Sequence, residues 1–174
     1  MAIRTILHYP DKRLREHGKR VEKITPDIQR LVDDMAETMY AAPGIGLAAP
    51  QVGKPVRVIV VDIADKDEEP HPYRMVNPKI VDASEDLRVT NEGCLSVPDF
   101  YADVERADTI TVEYQDETGA KQTLKADGML ATCIAHEIEH LDGVLFVDHL
   151  SALKRNMLMR KLAKDQRGKT LKDD

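Results

Sequence analysis

A chain of 174 residues with 42% hydrophobic and 32% charged residues has the balance of one water-soluble globular domain spanning 1–174, which excludes both a membrane-embedded and a disordered protein. The net charge of −6 is uneven: residues 151–174 carry eight Lys and Arg against three Asp, so a basic tail of +5 is joined to a body of −11. Arg4 and His8 interrupt the N-terminus, which argues against an export signal, and Cys94 and Cys133 then fit a reducing cytoplasm better than a disulfide.

In chain order, Thr25-Pro26-Asp27 is a helix start, with a hydroxyl cap, proline at the first helical position and an acid in the first turn. Ile28, Leu31, Val32, Met35 and Met39 recur at three and four and give that helix one apolar stripe, until Pro43 and Gly44 end it. The two methionines read as core. Asp65 to Pro72 is a charged surface loop. Strand periodicity places β-segments at Val56–Asp62, Met75–Val81, Tyr101–Arg106, Thr109–Gln115 and Lys121–Ala126, with Asp116–Gly119 as a hairpin connection. The apolar run Val58–Val61 is too short to cross a bilayer. Asp127 is the expected cap of a second helix with the stripe Leu130, Ile134, Ile138 and Leu141, and Gly143 lies just past its end. A basic helix from about Ser151 to Lys164 closes the chain within the tail at 150–174, with Leu158 and Leu162 spaced to pack on the body.

The second helix contains His136-Glu137-Ile138-Glu139-His140. A spacing of four puts both imidazoles on one face, where they can chelate one ion, and Glu137 is offset to reach the reacting water as a general base. Two histidines need a third ligand. No Glu follows Glu139, and the extended three-histidine pattern has Phe146 at the ligand position, so both common protease patterns lack theirs. Asp142, Asp148 and His149 are formal candidates. Cys94 is the stronger one, in Glu92-Gly93-Cys94-Leu95-Ser96-Val97-Pro98, because a thiol near a cation ionises readily and three protein ligands leave a position open. Cys133, three residues before His136, is its rival and reads as a pocket lining residue. The Gly-x-Gly of Gly44 to Gly46 follows a helix and lacks the further glycine or Gly-Lys-Ser/Thr of a nucleotide loop.

Three segments together, Gly44-Ile45-Gly46-Leu47-Ala48-Ala49-Pro50-Gln51-Val52-Gly53, Glu92-Gly93-Cys94-Leu95-Ser96 and His136-Glu137-Ile138-Glu139-His140-Leu141-Asp142-Gly143, resemble the three motifs of the peptide deformylase family. The order of elements resembles the bacterial form with a C-terminal helix. The resemblance implies an α+β fold of mixed, mainly antiparallel sheets around a central motif helix, flanked by an N-terminal and a C-terminal helix. It implies removal of the formyl group from the N-terminal formylmethionine of nascent polypeptides. Cys94, His136 and His140 would bind one divalent metal, Glu137 would be general acid and base on a water held there, and Gln51 with the Leu95 N–H would stabilise the oxyanion. Ile45, Gly46, Gly93, Met129 and Cys133 would bind substrate, the peptide lying strand-like beside Ile45 and Gly46. Ferrous iron is the expected ion in the cell, with zinc, nickel or cobalt as occupants of purified protein. The ribosome is the expected partner through the basic C-terminal helix, with neither DNA nor membrane. One departure is Asp99-Phe100-Tyr101, because several relatives carry Arg where this chain has Tyr101.

Overall fold

The computed structural model describes residues 2–173, with side chains through residue 165. Helix α1, Pro26–Ala41, starts as its sequence dictates: Thr25 is extended and its hydroxyl accepts from the Ile28 N–H. Its stripe of Leu31, Val32, Met35 and Met39 is buried.

Seven strands follow: β1 Gly46–Ala48, β2 Val58–Val61, β3 Tyr73–Ala83, β4 Leu87–Cys94, β5 Val97–Ala107, β6 Thr109–Gln115 and β7 Lys121–Asp127. Five form an antiparallel sheet in the order β1-β2-β3-β6-β7, and β4 pairs with β5 in a separate two-stranded sheet. All four residues of β2 are buried, because both of its faces are covered. Val58 and Val60 pack towards α1 with Leu47 and Val76, while Ile59 and Val61 face the motif helix α2, Gly128–Leu141. Helix α2 therefore lies on the opposite face of the sheet from α1. Its other flank meets the β4–β5 hairpin, where the Thr90 and Thr132 hydroxyls lie 3.5 Å apart. A third cluster joins β5 to the chain after α2 through Val97, Val104, Phe146 and Leu158.

The α+β architecture is the expected one, with differences in detail. The short β1 and the polar β4 were not legible as strands, and β5 begins at Val97 rather than Tyr101. β1 is too short to show a period, and β4 carries Arg88, Asn91, Glu92 and Gly93, which depress strand propensity. Asp127 occupies the cap position of α2, but its side chain makes no capping hydrogen bond. Gly143, at φ +73°, ends that helix where a Cβ would stand 2.5 Å from the Arg15 carbonyl oxygen, so both its backbone and its surroundings require glycine. Helix α3 spans Ala152–Asp173, longer than the expected segment, and Leu158 is its buried anchor. Among the described residues no helix is long and apolar enough to cross a membrane.

Candidate active site

Helix α2 and the β4–β5 hairpin bring the candidate donors together. His136 and His140 are one turn apart on α2, both buried, with ring centroids separated by 5.0 Å. Cys94 is the last residue of β4, at a register shift in the turn where it faces Val97, and its Sγ lies 3.4 Å from His140 Nε2. One donor atom from each of Cys94, His136 and His140 lies within 4.8 Å of the others, the single such group among the described residues.

The ring of His136 is oriented from behind. Its Nδ1 lies 2.9 Å from Glu92 Oε1, and a carboxylate can only accept there, so Nδ1 carries the proton and Nε2 is the free donor atom. Glu92 is in turn gripped by Arg106, at 2.6 Å from Nε to Oε2 and 3.0 Å from Nη2 to Oε1. Burial would raise the Glu92 pKa, but the hydrogen bonds from His136 and Arg106 outweigh it and hold the carboxylate below its usual value. Arg106 also pairs with Glu139, which accepts from His149 Nε2 at 2.7 Å. This chain of groups was not singled out from sequence. Its one local signal is Arg106 itself, a charge continuing the inward alternation Ala102, Val104, Arg106 along β5.

Glu137 sits beside the donors without joining them. Its Oε1 is buried with no hydrogen-bond partner and is 4.0 Å from His140 Nε2. Burial pushes its pKa up to about 7, the range of a proton-transfer group at neutral pH; a cation among the neighbouring donors would draw it down again. Burial also drives His140 well below the ordinary histidine value, so its ring is a neutral donor. Cys133 is not one of the three. Burial, reinforced by Glu137, keeps it a thiol, and its Sγ donates to the Ile45 carbonyl at 3.4 Å. Both cysteines are free. The other formal ligands are engaged elsewhere: Asp142 with Arg57, Asp148 with Arg15 and His149 with Glu139.

A cleft of about 690 Å³ opens above these groups, and Ile45, Gly46, Gly93, Leu95, Met129 and Cys133 all line it together with Cys94, His136 and Glu137. Gln51 and His140 do not; both are buried beneath it. The Gln51 amide donates to Ser96 Oγ at 3.0 Å and to Cys94 Sγ at 3.5 Å, while its Oε1 accepts from the Ala48 N–H at 2.8 Å. Gly46 is where β1 passes over α2: a Cβ there would overlap Glu137 Oε2 and come within 3.0 Å of Cys133 Sγ. Gly46→Ala is therefore expected to push the Glu137 carboxylate out of place and, where that carboxylate is the proton-transfer group, to lower turnover about 100-fold, the order of a misplaced general base. The checks are kcat together with an unchanged far-ultraviolet dichroism spectrum.

Thiolate and imidazole are the donor types that hold zinc or iron, and the buried Glu137 oxygen has no other partner, so the residues fit an ion here. A structural site would close on a fourth protein ligand; three donors next to a base mark the metal-dependent hydrolases instead. Residues 3–156 match the family model described as polypeptide deformylase. A peptide deformylase of Agrobacterium fabrum is 50% identical over 169 residues, covering 97% of this chain and 99% of that protein. The crystal structure of peptide deformylase from Ehrlichia chaffeensis superposes with a TM-score of 0.92 at 40% identity, covering 97% of this chain and 99% of that one. The same organism's enzyme in complex with actinonin gives a TM-score of 0.91 at 43% identity, over 96% and 99% of the two chains. This chain belongs to the polypeptide deformylase family.

Proposed function

We propose that the chain hydrolyses the formyl amide at the N-terminal methionine of nascent polypeptides and releases formate. The observation that carries this reading is the meeting of Cys94, His136 and His140 with the buried carboxylate of Glu137 at the floor of an apolar cleft. Cys94 Sγ and the ring nitrogens of His136 and His140 would hold the ion, which when bound supplies Lewis acidity to a water and to the carbonyl oxygen. Glu137 takes the proton from the water as its oxygen adds to the formyl carbon, then delivers it to the departing amine nitrogen as the C–N bond breaks. Gln51 Nε2 and the Leu95 N–H are assigned to the negative charge that develops on the carbonyl oxygen; the 3.5 Å bond from Gln51 to Cys94 Sγ already brings that amide to the donor set. The methionine side chain is assigned to the wall made by Ile45, Met129 and Cys133, and the peptide backbone to the edges at Gly46 and Gly93.

The decisive experiment is formate release from a formyl-methionyl peptide by anaerobically purified protein, with metal analysis of the same sample. Cys94→Ala is expected to lose both the stoichiometric metal and the formate release. Retention of the two together would sink the assignment. One thiolate and two imidazoles suit zinc and iron alike; we assign ferrous iron to the enzyme in the cell, with zinc, nickel or cobalt replacing it in purified material, and the metal analysis decides.

The cytoplasm is the assigned compartment, since the proposed substrates are nascent chains, and the two free cysteines support it. The ribosome is the assigned partner, through the exposed cations Lys154, Arg155, Arg160 and Lys164 of α3. Because Leu158 is 1% exposed in the third core cluster, deleting α3 would uncover that core, so the test reverses charge instead. The variant carrying Glu at those four positions is expected to lose about tenfold or more of its ribosome affinity at low salt and to keep its hydrolysis of a free peptide. Equal cosedimentation of the two proteins with ribosomes would remove the partner assignment.

A further inference from the structure

Residues 42–46 form one wall of the cleft and hang between two anchors. They leave α1 through the Ala42 N–H, which donates to the Thr38 carbonyl at 3.1 Å, and the Gly44 N–H, which donates to the Met39 carbonyl at 2.8 Å. They enter β1 at Gly46, opposite Val61 of β2. Between those anchors Ala42, Pro43 and Ile45 are exposed, so little packing fixes their outer side. The Ile45 carbonyl points inward, accepting from the Asp62 N–H at 2.9 Å and from Cys133 Sγ at 3.4 Å.

Asp62 directly follows β2 and is 4% exposed. Three donors satisfy its carboxylate: Oδ2 accepts from the Tyr40 hydroxyl at 2.5 Å and from the His71 N–H at 2.9 Å, and Oδ1 accepts from the Ala64 N–H at 2.9 Å. Burial would raise the Asp62 pKa, but these hydrogen bonds outweigh it and hold the carboxylate below its usual value. Burial and the same bond push the Tyr40 hydroxyl up to about 12, so it keeps its proton and donates. A short hydrogen bond to a carboxylate is among the stronger kinds. Tyr40 lies in the last turn of α1, at one end of the wall, and the Asp62 N–H holds Ile45 at the other. The chain from Tyr40 to Ile45 and the two bonds to Asp62 therefore close a ring. Neither Tyr40 nor Asp62 lines the cleft.

We propose that Asp62 and Tyr40 are positioning residues for the substrate: they brace the wall at 42–46 and so preset the edge along which the formyl-methionyl peptide lies, without touching it. This role rests on the deformylase reading of the site. Without the brace the wall is free to swing outward at Pro43 to Ile45, and binding must reorder it, which costs affinity rather than chemistry. Gly46, which covers Glu137, stays paired with Val61, so the general base keeps its place.

The test measures kcat and KM for formyl-Met-Ala-Ser, with metal content, in wild type, Tyr40→Phe, Asp62→Asn and the double variant. Each single change is expected to raise KM about fivefold, the worth of one net hydrogen bond, with kcat within about twofold of wild type and metal content unchanged. The double variant should resemble Asp62→Asn alone, because the two side chains share one bond. Tyr40→Phe, which removes a single hydroxyl, carries the decision if Asp62→Asn fails to fold. A merely structural role would lower kcat with the active fraction and leave KM where it was. That outcome, an unchanged KM in Tyr40→Phe, or effects that multiply in the double variant would overturn the inference and leave the deformylase reading intact. Absence of formate release by the metal-loaded wild type would overturn that reading, and this inference with it.

Discussion

Glu137→Ala is expected to lower kcat for formate release about 10³-fold, the contribution of a positioned general acid and base, while metal content and folding stay at the wild-type level. The expectation follows from position: Glu137 is buried beside the donors, is not among them, and its Oε1 has no hydrogen-bond partner to lose. Metal should therefore be retained, since Cys94, His136 and His140 are untouched. Glu137→Gln separates proton transfer from packing, because the amide keeps the volume and cannot accept the water's proton. It should be as inactive as the alanine variant. Turnover within tenfold of wild type for either variant would refute the role assigned to this carboxylate.

Arg106→Met carries the largest expected effect on stability. Arg106 and Glu92 are 8% and 5% exposed in their side chains and meet through two hydrogen bonds, so removing the guanidinium leaves a carboxylate buried and half unpaired. Breaking a buried pair from one side costs about 3–5 kcal/mol, readable as a lower urea midpoint with an unchanged slope. A second readout separates this from generic destabilisation. Glu92 also holds the His136 ring through Nδ1, and loss of a hydrogen bond behind a ligand typically lowers metal affinity about 10–100-fold. Adding Glu92→Gln to Arg106→Met removes the orphaned charge and should restore part of the stability without restoring the metal affinity. A loss below 1 kcal/mol in the single variant would contradict the ledger of this pair.

Much of the site was legible because its key residues obey a helical period. His136 and His140 are four apart, so any helix over Gly128–Leu141 places them on one face, and the apolar spacing of Ile134, Ile138 and Leu141 demands that helix. Gly143 marks its end by the φ +73° that few other residues adopt. β6 follows its alternation over Thr109–Gln115 as expected. Cys94 stood out as a candidate by its composition and motif, but its distance from the histidines could not be read, since 41 residues and three strands intervene before His136.

What the chain's own letters determined about this protein is its local order: where α1 and α2 begin and stop, which stripe each of them buries, and which side chains can share one helical face. Tertiary structure alone decided the register shift between Glu92 and Cys94 that sends one side chain behind His136 and the next but one to the donor set. It also decided the crossing of β1 over α2 that admits only glycine at Gly46, and the Tyr101 ring seated on Gly93. The physical reason is range. Periods of 3.6 and 2 act between neighbours along the chain, whereas a buried ion pair or a close backbone crossing exists only when two distant segments are packed in a particular register.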